Sequence, residues 1–391
     1  MLRRLLPYLV LLLTPFAFLE AFGFVSRWLL DDLYDHRELV LARIDEEGLA
    51  AFRKRHGDPV LGWAREGGRR VASKNCIGGP VAYTYDADGA RIYPGYDAQR
   101  VDIVAVGDSY TASSEVDDSE AYPAQLADAL DLQVANHGVG GYGPVQSFLN
   151  LQAKIDRYPA ARIVILGIMY ENIYRMVNSY RPVLYDKSET YGLKPYMADG
   201  RIVPHPGAAA LHDVADFRAR ARAAFDRDFW AKPEHQFPYG IALMRALSSN
   251  YYWLQRVQRP FPKIGVPEYF LAFRSPGITG ELRALLNEYA AYAKGQGLIP
   301  VVVFIPRNRH DTNSAARFIE ASRPLLDRDL VLADVGAADV AWDRFNLEEA
   351  ASNNICHPTP YGYRQIAEHV VAVLQGAGLI EPRLTSEHAP P

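Results

Sequence analysis

The stretch R-V-D-I-V-A-V-G-D-S-Y-T-A, Arg100 to Ala112, decides how the chain is read. Val101, Ile103, Val104, Ala105 and Val106 make a short apolar run rich in β-branched side chains, the pattern of a strand buried on both faces of a parallel sheet. Gly107-Asp108-Ser109 ends it. A glycine permits a tight turn, and a serine just past the carboxyl end of a strand stands where open α/β sheets bind their ligands. Ser109 is therefore a candidate nucleophile, although Gly-Asp-Ser by itself also suits an ordinary strand-to-helix turn capped by Asp or Ser.

Outward from this stretch the chain alternates strand and helix. A helix is expected near Ala121 to Leu130, a second strand at Gln133 to Asn136, a helix at Val145 to Ile155 and a third strand at Arg162 to Gly167. Far downstream follow an amphipathic helix at Thr279 to Lys294, a fourth strand at Ile299 to Ile305, a fifth at Leu330 to Ala333 and a closing helix at Gln365 to Leu374. This order predicts an α/β fold: a doubly wound, parallel five-stranded sheet flanked by helices. Residues 177 to 275 interrupt the rhythm and are too long for a simple connection, so they read as a mostly helical, aromatic-rich insertion. Its Tyr180, Tyr185, Tyr191, Phe229, Trp230 and Trp253 can stack on sugars or acyl chains, or glue the insertion to the sheet.

The amino terminus carries an address. Arg3 and Arg4 precede the uncharged apolar run Leu5 to Leu19, and apolar character resumes after Glu20 as far as Ser26. Together these residues are long enough to cross a bilayer as a helix. The basic residues before the run and Asp31, Asp32, Asp35 and Glu38 after it place the amino terminus in the cytoplasm and the rest outside. The expected organisation is an anchor over 1–27, a stalk and loop-rich collar over 28–99, the α/β domain with its insertion over 100–381, and a tail over 382–391. A cleaved signal peptide or a buried helix are the other readings of the first residues. A net charge of -4 and the lack of a long basic run argue against a nucleic-acid partner. The two cysteines, Cys76 and Cys356, are either a disulfide suited to an oxidising compartment or two unpaired thiols. No cluster with metal-ligand spacing, phosphate loop or dinucleotide fingerprint is present, so no metal or cofactor is expected.

Four pieces fall at expected sheet ends: Gly107-Asp108-Ser109-Tyr110-Thr111, the loop Asn136 to Gly143, Tyr170-Glu171-Asn172, and Cys356-His357-Pro358 before the last helix. Acyl transfer needs a nucleophilic hydroxyl, a base and donors for an oxyanion. With these blocks in this order the chain resembles the SGNH (GDSL) hydrolase superfamily, over residues 101 to 172 and about 299 to 374. The resemblance implies an SGNH-type, flavodoxin-like fold, with Ser109 as nucleophile and His357 as base. It further implies that the Ser109 amide, the Gly141 amide and the Asn172 side chain hold the oxyanion. Two departures stand out. The family commonly has Asp three residues before its histidine, where this chain has Asn354; Asn354 itself, Asp334 or Asp343 then orients the imidazole, or nothing does. Around Asn172 the usual glycine and aspartate are missing.

His137 reads as a polar loop residue rather than a second base, and Glu171, Arg175 and Arg181 either clamp an anionic sugar or are solvated helix charges. The expected function is an extracytoplasmic, membrane-anchored serine esterase or O-acyltransferase. By analogy with anchored family members that acetylate exopolysaccharides, its substrates are acyl esters, acetyl foremost, of a surface or secreted glycan. The alternatives are a catalytically inactive polysaccharide-binding or scaffold relative and a lipid esterase.

Overall fold

The computed structural model describes residues 2–185, 190–204, 213–257, 273, 275–307, 314–349 and 354–381. In chain order its helices begin with α1 (Leu2–Leu29), α2 (Arg37–Leu41), α3 (Glu46–Arg55), α4 (Ser109–Ala112), α5 (Tyr122–Leu130) and α6 (Pro144–Lys154). They continue with α7 (Ile173–Met176), α8 (Arg181–Leu184), α9 (Val214–Arg227), α10 (Tyr239–Leu247), α11 (Pro276–Gly295), α12 (Ser314–Ser322) and α13 (Pro360–Gly376). The chain divides into two compact units, one made of Met1–Gly62, Asn178–Lys194 and His205–Ile264, the other of Trp63–Val177, Pro195–Pro204 and Gly265–Pro391.

The second unit holds the sheet. Its strands are β1 (Arg70–Lys74), β2 (Pro80–Tyr85), β3 (Arg91–Ile92), β4 (Val101–Val106), β5 (Gln133–Asn136) and β6 (Ile163–Met169), then, beyond a small β7 (Tyr196–Ala198) and β8 (Arg201–Val203) hairpin, β9 (Ile299–Ile305) and β10 (Val331–Asp334). A separate antiparallel hairpin is formed by β11 (Asn346–Glu349) and β12 (Asn354–Pro358). The main sheet runs β10-β9-β6-β4-β5-β3-β2-β1. Its first five members are parallel and are the five strands expected, in the spatial order 2-1-3-4-5 by first appearance. The sheet is eight-stranded and mixed, however, not five-stranded and parallel, because β3 pairs antiparallel with β5 and β2 and then β1 add to it antiparallel. These three strands lie in the segment read as a loop-rich collar. β1 is almost wholly exposed, so it carries little of the apolar alternation by which a strand is recognised.

Side-chain alternation builds the core. Ile103 and Ala105 of β4 face α5 and α13, packing with Tyr122, Leu126, Ile366 and Val370. Val104 and Val106 are equally buried and face the other way, which is why β4 reads as a continuous apolar run. The register Ile103↔Ile163 to Val106↔Leu166 aligns the carboxyl ends of β4 and β6, and α4 starts directly beyond β4. That edge carries the candidate site.

In the first unit α1 packs on α10. Glu20 accepts hydrogen bonds from the amides of Tyr239 (2.7 Å) and Gly240 (3.0 Å), and a side chain at Gly23 would run into the Tyr239 backbone. The expected membrane-spanning segment is thus helical, yet its carboxyl half is committed to protein contacts. Among the described residues no helix is long and apolar enough to cross a membrane. Here the insertion supplies α8, α9 and α10, and several of its aromatics pack in this unit: Tyr180 lies edge-on to Phe217 and Phe225, His235 edge-on to Tyr34, and Trp230 is fully buried, whereas Phe237 and Trp253 are exposed. Asp228, accepting from the Ser179 amide (2.6 Å) and hydroxyl (2.7 Å), ties α9 to the segment before α8.

Candidate active site

Gly107 and Asp108 turn the chain out of β4 into α4. A side chain at Gly107 would lie 2.0 Å from Thr111 Oγ1, so only glycine allows α4 to fold back this closely. Asp108 caps α4 by accepting from the Tyr110 amide at 2.9 Å. Half-buried Ser109 opens the helix.

The Asn136 to Gly143 loop runs alongside. The His137 amide reaches the Ala105 carbonyl (2.8 Å) and the Val139 amide the Gly107 carbonyl (3.0 Å), while Asn136 Nδ2 donates to the Thr111 carbonyl (2.9 Å). Gly141 has φ +83°, a left-handed conformation that suits glycine. Asn172, at the end of β6, is buried, and its amide nitrogen donates to Asp108 Oδ2, which places the side chain against the turn that carries Ser109. The first three blocks of the resemblance therefore meet at one sheet end.

His357, on β12, completes the cluster. Its ring lies 5.3 Å, centroid to centroid, from that of Tyr110, the residue after Ser109. Among the described residues no hydrogen bond joins Ser109 to His357. Such bonds commonly tighten only when substrate is bound.

The partner of His357 is a residue that the sequence did not single out. Glu115 Oε1 lies 2.5 Å from His357 Nδ1, and Glu115 Oε2 accepts the Cys76 amide at 3.1 Å. Burial alone pushes Glu115 upward, but the His357 hydrogen bond and charge and the Cys76 amide outweigh it and hold the carboxyl below its ordinary value. Asp334 does not serve His357. Its Oδ1 accepts from Tyr170 Oη (2.5 Å) and from the Gly336 amide (3.0 Å), and burial raises its pKa to about 6. Asp343 is exposed, and the side chain of Asn354 lies outside the described residues. The only signal for Glu115 in the sequence is its position, six residues after Ser109 in the loop that leaves α4.

Asp108 is wholly enclosed, and burial lifts it to about 6 against the opposing pull of Arg175 and His357. Arg175 Nη1 donates to the Tyr142 carbonyl (3.4 Å), and Glu171 Oε2 pairs with Arg307 Nη1 (3.5 Å). Arg181 belongs to the first unit, where it is buried with its guanidinium over the Tyr185 ring. The three residues are thus neither one clamp nor a set of solvated charges. His137 is buried against Tyr158 (2.7 Å), and burial lowers it to about 3, so its imidazole is neutral and structural.

Cys76 and Cys356 form a disulfide, Cα to Cα 6.3 Å. It joins the turn whose amide holds Glu115 to the residue preceding His357.

No family model matches the sequence, and no curated protein matches it. Among solved structures the chain is similar to a G-D-S-L family lipolytic protein from Desulfitobacterium hafniense DCB-2, at 13% identity and TM-score 0.32. A protein described as an SGNH hydrolase from Slackia heliotrinireducens is similar at 16% and 0.33, and a member of the lipolytic G-D-S-L family from Veillonella parvula DSM 2008 at 10% and 0.34. Each match covers 70% of this chain; the shares of the other chains are 99%, 99% and 98%.

Proposed function

We propose that this chain is an SGNH-type serine esterase or O-acyltransferase in which Ser109, His357 and Glu115 form the catalytic triad. The observation that carries this reading is the 2.5 Å contact from Glu115 Oε1 to His357 Nδ1, with the His357 ring against Tyr110, the residue after Ser109. A carboxylate on Nδ1 fixes the tautomer that leaves Nε2 free to take a proton, and it stabilises the imidazolium that follows. Ser109 Oγ attacks the ester carbonyl as His357 Nε2 takes its proton. The tetrahedral oxyanion is held by the Ser109 and Gly141 amides and by Asn172 Nδ2, which has a second hydrogen beyond the one given to Asp108. His357 then protonates the leaving alcohol, and water or an acceptor hydroxyl releases the acyl group.

The enzyme works outside the cytoplasm, held at a membrane by α1, on acyl esters such as acetyl groups of a surface or secreted glycan. The disulfide suits an oxidising compartment. Leu11, Phe18 and Trp28 are exposed on α1, which fits membrane association.

Turnover of an aryl acetate by the full chain, with and without a sugar acceptor, tests the reading. Labelling by a fluorophosphonate that disappears in Ser109→Ala supports it. An unlabelled, inactive chain would leave the scaffold alternative.

A further inference from the structure

The disulfide and the two ionisable groups at His357 form one closed ring of interactions. From the Cys76 amide the path runs to Glu115 Oε2, through the carboxylate to Oε1, across to His357 Nδ1, along the backbone to Cys356, and through the sulfurs back to Cys76. The anchors on its two sides differ. Cys76 sits in the turn between β1 and β2, at the exposed edge of the sheet, whereas Cys356 is buried on β12, in a hairpin separate from the main sheet. Besides the disulfide, Asn346 Nδ2 donates to the Cys356 carbonyl at 2.8 Å and to Tyr110 Oη at 3.4 Å, which holds the hairpin beside α4. The loop that carries Glu115 is tied to β2 by the Ala82 amide on Asp117 Oδ1 (2.7 Å) and the Thr84 amide on Asp118 Oδ1 (3.1 Å), so what the disulfide adds is the link from the Cys76 turn to the residue beside His357.

We propose that the Cys76–Cys356 disulfide is a positioning device for the catalytic base, holding Glu115 and His357 in register, and that a dithiol reductant switches turnover off by opening it. The inference rests on the triad reading above. In the reduction two thiols form at Cys76 and Cys356, the sulfur–sulfur bond breaks, and the dithiol supplies two electrons and two protons as it closes to its own disulfide. The freed turn then carries the Cys76 amide away from Glu115 Oε2, and the carboxylate is no longer held against Nδ1.

The test uses the full chain, oxidised and after dithiothreitol treatment. A chelator is present because Cys76, Glu115 and Cys356 offer ligand atoms all within 4.8 Å, and freed thiols there would capture zinc. Reduction is expected to leave far-UV circular dichroism unchanged and KM unchanged while lowering kcat on the order of 10- to 100-fold, the scale of a catalytic group displaced by about an ångström. In Glu115→Gln the same reduction is expected to change kcat far less, since the aligned carboxylate is already gone. Equal fold-losses in the two proteins, no loss in either, or loss of the far-UV signal on reduction each overturn the proposal; the last would make the bond a staple of the fold. A second readout does not depend on turnover. The His357 Nδ1 proton, shared with Glu115, gives a downfield NMR resonance that reduction should erase. A chain without esterase activity whose resonance still vanishes on reduction defeats the enzyme reading alone; a resonance that survives defeats the positioning role.

Discussion

Glu115 Oε1 stands 2.5 Å from His357 Nδ1 although 242 residues separate the two in sequence. Replacing Glu115 with Gln keeps the size and removes the charge. The expected result is a fall in kcat of about 10²- to 10⁴-fold with KM little changed, measured on an aryl acetate at neutral pH. An unchanged kcat would remove Glu115 from the triad.

The converse concerns Asn354. Nδ1 of His357 already has its carboxylate, so restoring the family's aspartate with Asn354→Asp is expected to leave the esterase rate within about twofold, the scatter of a surface-type change. A large gain would mean that Glu115 serves poorly and that residue 354 is the natural orienting position.

How far these relationships were legible follows from the range over which each signal acts. β4, β5 and β9 lie at the residues expected, since runs such as Ile299 to Ile305 are buried on both sides and say so locally. Ser109, Gly141, Asn172 and His357 could be singled out in the sequence because each follows a strand end or precedes a helix with its own short motif. Glu115 has no motif: it sits in a loop, and its partners are brought to it by folding, the Cys76 amide from a turn 39 residues before it and His357 from a hairpin more than two hundred residues after it. Asp334 misled for the complementary reason. It follows the last parallel strand, where a catalytic aspartate is plausible, but Tyr170 of the Asn172 block takes its carboxylate first. The Cys76–Cys356 link was one of two open readings, since spacing alone cannot say which loops meet.

Asp334 supplies a pH-dependent prediction. Burial raises its pKa from 3.8 to about 6, so the folded chain binds this proton more tightly than the unfolded chain. The resulting stability is fully present below about pH 4 and is lost as pH rises through 6. Two pKa units correspond to about 3 kcal/mol as an upper figure. Asp334→Asn keeps an acceptor for Tyr170 without a charge. It is expected to raise the urea midpoint at pH 7, to leave it unchanged at pH 4, and to spare esterase activity because Asp334 makes no contact with His357. A loss of activity without loss of stability would return Asp334 to the site.

The proposed oxyanion site rests partly on Asn172. Asn172 is buried and its amide is braced by Asp108 Oδ2. Asn172→Ala is expected to lower kcat by about 10²- to 10³-fold, as for the removal of one oxyanion donor, while fluorophosphonate still reaches Ser109 at a reduced rate. Full activity in this variant would show that the Ser109 and Gly141 amides suffice.

The first helix is expected to separate anchoring from folding at Glu20. Residues before it carry exposed Leu11, Leu13 and Phe18, whereas Glu20 accepts the Tyr239 and Gly240 amides at the start of α10 and Gly23 packs against the Tyr239 backbone. A chain lacking residues 2–18 should lose membrane retention and keep its thermal midpoint. One lacking residues 2–27 also loses the Glu20 cap, which costs about 1–2 kcal/mol by the scale of helix N-caps, and Ser26, which bonds the buried Tyr34 hydroxyl. Its midpoint should fall. Fractionation and thermal melts of the two truncated chains read the two effects independently. Membrane retention that survives the shorter deletion would place the lipid contact elsewhere in the chain.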